Sequence, residues 1–189
     1  IASEPPVHLF VMGENRWRAE NEWPLARTHY TKYYLGSGGR ANGAAGDGVL
    51  GTARPRGAAS DRFDYDPANP VPSLGGNVCC SSVPNGPRDH RKVAERSGVL
   101  VYTTPPMVEA RTIAGTPVCA LHVRSSAPST DFVVRLSRVT ADGRATFLTL
   151  GAARVAAQTG SEVVIRLDPV AVRIAVGERL RLDVASSAF

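Results

Sequence analysis

Short runs of apolar–polar alternation, Gly and Pro turns between them and no three-turn amphipathic helix predict an all-β fold. The pattern fits an antiparallel β-sandwich or jelly roll. The clearest stretch runs from Val118 to Leu150. Cys119, Leu121 and Val123 alternate with Ala120, His122 and Arg124, the period of a half-buried strand. Ser125 to Thr130 is a polar corner whose Pro128 cannot donate to a ladder. Phe132, Val134 and Leu136 then share one face, with Val133, Arg135 and Ser137 on the other. Asp142-Gly143 offers two positive-φ positions for a tight hairpin, and Ala145 to Leu150 forms the return strand. The three strands read as a meander with one greasy face that needs a second layer.

The other elements follow in chain order. Val7 to Met12 (VHLFVM) is nearly continuous in apolar residues, as in a strand buried on both faces. Trp17 and Trp23 come next, stopped by Pro24. Tyr30 to Leu35 is an aromatic strand. Gly36 to Ser60 is a Gly/Ala/Arg/Ser loop with one weak strand at Val49-Leu50, a length uncommon without a role. Pro67, Pro70 and Pro72 impose extension, and Ser73 to Gly76 (SLGG) is a turn. Val99 to Thr103 is a strand ended by Pro105-Pro106. Val163, Ile165 and Leu167 alternate, as do Leu180, Leu182 and Val184, around a turn at Val176-Gly177-Glu178.

Composition narrows the class. The 189 residues are 43% hydrophobic and 21% charged, which is globular. No apolar run nears the roughly 20 residues of a spanning helix, so no membrane partner is expected. The net charge of +5 comes from arginine, Lys32 and Lys92 being the only lysines. Arg135, Arg138, Arg166, Arg173, Arg179 and Arg181 stand singly among apolar positions, like solvated outer faces of strands. No RNA-binding aromatic pattern accompanies them, so nucleic acid is not an expected partner. Cys79, Cys80 and Cys119 are too few for a disulfide framework. They read as small buried hydrophobes in a reducing, cytoplasmic setting.

A catalytic centre is not legible. Gly-x-Ser-x-Gly is missing, and His8, His29, His90 and His122 each stand alone, without zinc-ligand spacing. No cofactor or metal is expected. Asp89-His90 is the nearest approach to a general-base pair, but adjacent residues seldom face each other, and a surface loop pair is the expectation. Asp61, Asp64 and Asp66 lack the Gly and Glu of an EF-hand and read as loop carboxylates beside Arg56 or Arg62.

Five stretches taken together resemble one family. FVMGENRWRAENEWPLA, FDYDPANPVPSLGGN, NGPRDHR, VLVYTTPP and SSAPSTDFVVRLSRVTADGRA are similar in order and spacing to cocaine esterase and X-prolyl dipeptidyl aminopeptidase (CocE/NonD, S15-type) serine hydrolases. Those have an α/β-hydrolase domain, a helical cap and a C-terminal jelly roll of galactose-binding type. The family's Ser, Asp and His would all precede VHLFVMG, so the resemblance places no catalytic residue in this chain. It implies that residues 1–27 end the α/β-hydrolase domain, VHLFVMG being its last strand, and that residues 28–189 are the jelly roll. It also implies that Cys79 and Cys80, ending the strand after SLGG, line the acyl pocket as substrate-binding residues. Beyond Leu150 the sequence is shorter and plainer than the family pattern, and its close at SSAF suggests a truncated, divergent or partial chain.

The function implied is an accessory domain of a serine esterase or X-Pro dipeptidyl-peptidase. Its partners would be the α/β-hydrolase domain, in the same chain or separate, and a small acyl ester or X-Pro peptide. Homodimerisation is left open. The alternative is a free-standing β-sandwich binding module, with Trp17, Trp23, Tyr33 and Tyr34 as stacking rings. Removal of Ile1 to Arg27 is expected to leave the jelly roll folded and more soluble.

Overall fold

The computed structural model describes residues 4–57, 59–76, 85–156 and 160–188. The strands are β1 (Val7–Val11), β2 (Arg16–Glu20), β3 (Tyr34–Gly36), β4 (Val49–Gly51), β5 (Leu100–Thr103) and β6 (Arg111–Gly115). They continue as β7 (Val118–Val123), β8 (Ser129–Val139), β9 (Ala145–Ala156), β10 (Ser161–Arg166), β11 (Val170–Ile174) and β12 (Arg179–Ala185). A short helix, α1 (Arg91–Ala94), lies between β4 and β5. The protein is an all-β sandwich.

One layer is a six-stranded sheet in the order β3-β4-β5-β12-β8-β9. Its ladders are antiparallel except for a single parallel bridge between β4 and β5. Facing it are two antiparallel pairs, β6 with β11 and β7 with β10. Leu50, Leu100, Tyr102, Phe132, Val134, Leu136, Leu180 and Val184 from the large sheet meet Cys119, Leu121, Val163, Ile165, Val170, Val172 and Ile174. Strand alternation sends every second side chain inward, so both layers contribute to one core. Cys119 is the expected small buried hydrophobe, its thiol pushed up to about 11 by burial.

The structure corrects several sequence expectations. Val118 to Leu150 is not a meander, because β7 pairs with β10 in the opposite layer and only β8 and β9 pair together. The polar corner around Pro128 therefore carries the chain between layers instead of turning a hairpin. At the β8–β9 turn only Gly143 takes positive φ (80°), and Thr140 and Arg144 close a longer loop. Arg135 and Arg181 are not solvated; both are buried on the outer face of the large sheet. That face is covered by a second cluster in which Val71, Leu74, Val93 and Ala94 pack on Val99, Val101 and Ala185. A covering segment turns an apparent outer face into an interior.

Val7–Val11 is not buried on both faces in this chain. It pairs with β2 as a hairpin, and exposure alternates along it. Val11 is buried, while Phe10 (41% exposed) and Trp17 (67%) form an edge-to-face pair outside, 5.5 Å between centroids. Met12 then joins the small layer, donating to Ala171 O (3.0 Å) and accepting from Arg173 N (2.8 Å).

Candidate functional site

The two cysteines singled out in the sequence, Cys79 and Cys80, lie outside the described residues, within positions 77–84. The structure does describe what holds that stretch. Gly76 and Gly86 exchange two backbone hydrogen bonds of 2.9 and 3.1 Å, so the described legs on either side of that stretch, 71–76 and 86–90, meet at a backbone crossing. The glycines at its entrance are required by contact as well as by φ. Gly75 sits at φ 76°, where an added Cβ would run into the Gly86 carbonyl oxygen. Gly76, at φ 92°, lies against the ring of Phe147. SLGG is thus a close crossing of two backbones.

The two legs are tied to β9, to Ser187 and to each other. On the incoming leg, Val71 N donates to Ser187 Oγ (2.8 Å), and the Leu74 carbonyl accepts from His90 Nε2 (2.6 Å). On the outgoing leg, Phe147 N donates to Arg88 O (2.9 Å) and His90 N donates to Ala145 O (2.7 Å). Residues 88–90 thereby add a short antiparallel run to the start of β9. Asp89 locks it, its Oδ1 accepting from Ala145 N and Arg91 N, both at 3.1 Å. Burial pushes the Asp89 carboxyl up, but these bonds and Arg91 outweigh it and hold the group below the usual carboxylate range.

Asp89 and His90 are therefore not a surface pair. The carboxylate faces Ala145 and Arg91, whereas the imidazole is 1% exposed, tilted against Phe147 with centroids 5.3 Å apart. Burial, with Arg135 nearby, moves the His90 pKa down, so the ring is neutral at neutral pH. Donation from Nε2 leaves Nδ1 as the acceptor. His8 on β1, His122 on β7 and His29 in the connection between β2 and β3 are exposed.

Asp61 is no partner of Arg56 or Arg62. It accepts from Ser37 Oγ (2.6 Å), Tyr102 Oη (2.7 Å) and Ala41 N (2.9 Å), tying the long loop to β5. Burial raises its pKa, yet those three bonds leave it lowered overall, while burial and Asp61 push the Tyr102 hydroxyl up. Among the described residues no cluster of three or more His, Cys, Asp or Glu could hold a metal. No described serine or cysteine is hydrogen-bonded to a histidine ring.

The fold is a β-sandwich whose described residues include a backbone crossing at Gly76 and Gly86 and no nucleophile–base pair. The model of the X-Pro dipeptidyl-peptidase C-terminal non-catalytic domain matches residues 1–189, and the chain belongs to that family. It is 44% identical over 155 residues to cocaine esterase of Rhodococcus sp. (strain MB1 Bresler), a match spanning 82% of this chain and 27% of that protein. An aminopeptidase from the marine sediment archaeon Thaumarchaeota archaeon superposes with a TM-score of 0.79 at 27% identity, over 99% of this chain and 33% of its own. An α-amino acid ester hydrolase shares the fold, with a TM-score of 0.80 at 24% identity, over 98% of this chain and 34% of its own. The chain thus spans about a quarter of the curated relative and a third of the solved structures.

Proposed function

We propose that this chain is the C-terminal domain of an acyl esterase or X-Pro dipeptidyl-peptidase, stabilising the α/β-hydrolase domain and shaping its acyl pocket through residues 77–84. The observation that carries this reading is the backbone crossing at Gly76 and Gly86. Five backbone or side-chain ties, at Val71, Leu74, Gly76, Arg88 and His90, hold the two legs that flank residues 77–84. Anchored ends shorten the segment that docking against a neighbouring domain has to order. Phe10 and Trp17 support the domain division: an exposed aromatic pair on a hairpin is a surface for the catalytic domain to cover. On this reading residues 1–27 belong to the hydrolase side of the boundary.

The test uses the full-length protein that carries this chain. Cys79→Phe and Cys80→Phe are assayed separately on short and long p-nitrophenyl acyl esters and on a prolyl-dipeptide anilide. At least one variant loses long-acyl turnover at least tenfold more than short-acyl turnover. Equal loss on both chain lengths removes the pocket role. The 189-residue chain alone turns over none of these substrates, because activated nucleophiles need a base in reach.

A further inference from the structure

On the outer face of the large sheet, four polar side chains form a square. Arg135 and Ser137 of β8 sit directly opposite Asp183 and Arg181 of β12, the partners being Arg135 with Asp183 and Ser137 with Arg181. All four are at most 4% exposed, and His90 caps the square at 1%. Two guanidinium groups and one carboxylate are therefore buried together on this face. Buried charge is tolerated only when it is matched and hydrogen-bonded.

The matching is incomplete on one side. Asp183 belongs to Arg181, with Nη2 donating to Oδ2 (3.1 Å); Nε lies 2.9 Å from Oδ1 as an ion pair, neither atom having a hydrogen-bond partner among the described residues. Arg181 Nη2 also reaches the His90 carbonyl at 3.3 Å. Among the described residues Arg135 makes one bond, from Nη2 to the Ser187 carbonyl (2.9 Å), and no carboxylate lies within 4 Å of it. Its Nε and Nη1 have no partner there, and neither do the Ser137 hydroxyl and His90 Nδ1. Unpaired guanidinium donors, a rotatable hydroxyl and a surplus positive charge thus lie on one buried face of the sheet.

We infer that Arg135, with Ser137 and Arg181, forms a buried binding site for one small monoanion of halide size. Such an ion accepts from the free Nε and Nη1 groups of Arg135 and from the Ser137 hydroxyl, and it balances the second guanidinium. A planar guanidinium edge suits an acceptor of this kind. A neighbouring cavity shares Ser187 with this arrangement; Asp131 and Asp168 also line it, and none of Arg135, Ser137 and Arg181 does. Arg135 and Val71 both hold Ser187, so the ion fastens the sheet to the incoming leg of the loop. The site itself does not depend on what the loop does.

The experiment is thermal unfolding of the 189-residue chain at pH 7 and fixed ionic strength, exchanging sodium gluconate for sodium chloride. Gluconate is too large for the site. Tm rises saturably by several degrees with chloride, and Arg135→Met removes the dependence. Should Arg135→Met fail to fold, crystals soaked in bromide decide: an anomalous peak in contact with Arg135 Nε or Nη1 upholds the site. A Tm indifferent to anion identity, or a water without anomalous signal at that position, overturns it.

Discussion

His90 joins three elements through one residue: its ring holds Leu74, its amide holds Ala145, and its carbonyl accepts from Arg181. Its folded pKa lies below the usual histidine value because burial disfavours the imidazolium. In the unfolded chain the group titrates near 6.5, so below that pH the unfolded state takes up a proton that the folded state resists. Stability contributed by neutral His90 is full above about pH 6.5 and falls as pH drops toward the lowered folded value. Asp183 acts with the opposite sign, since burial raises its carboxyl and its contribution falls as pH rises from about 3.8. Urea unfolding between pH 4.5 and 7.5 separates the two when wild type is compared with His90→Gln. The variant keeps an amide donor for Leu74 and shows a flatter acid limb. An unchanged slope would mean that the His90 pKa is the same in the folded and unfolded states.

Among the elements, two turns contain glycines with nearly the same φ and different surroundings. Gly143, at φ 80° in the β8–β9 turn, has open space where a Cβ would stand. Gly13, at φ 84° between β1 and β2, has Arg173 O and the Arg138 guanidinium there. Gly143→Ala therefore costs only the left-handed backbone, roughly 1–2 kcal/mol. Gly13→Ala adds a clash with the backbone of β11 and costs more, and the bridge from Met12 to Val172 is the first to open. Equilibrium unfolding ranks the pair, and amide exchange at Met12 and Arg173 reports the bridge. Equal costs would mean that the β1–β2 turn can move away from β11 without penalty.

For the whole molecule, the hairpin of β1 and β2 has two different sides. Inward, Val11 is buried and Met12 completes the edge of β11; outward, Phe10 and Trp17 are exposed. Removing Ile1 to Arg27 therefore strips the β11 edge along with the aromatic patch, so point substitutions separate the two effects better. Phe10→Thr with Trp17→Thr leaves the backbone bridge intact and lowers self-association of the 189-residue chain. Sedimentation at several concentrations measures this, and urea unfolding stays within about 1 kcal/mol of wild type, the range of exposed positions. Association that persists unchanged would place the sticky surface elsewhere.

What the sequence by itself determined is the set of local patterns. Alternation at Cys119 to Val123, Phe132 to Leu136 and Leu180 to Val184 named strands and their core faces, because period two is written residue by residue. Motif order, from FVMGENRW to TADGRA, pointed to the family. Strand partners were not written there. The switch of β7 to the opposite layer depends on β10, about 40 residues downstream, and no local signal at Pro128 distinguishes a crossing from a hairpin. Arg135 and Arg181 read as solvent-facing because strand alternation sends each off the main core, and His90 because it sits beside Asp89 in a loop. Only the folding of Val71, Leu74 and α1 over that face encloses them. Burial of a charge is a property of the layer above it, and that layer is set by tertiary structure.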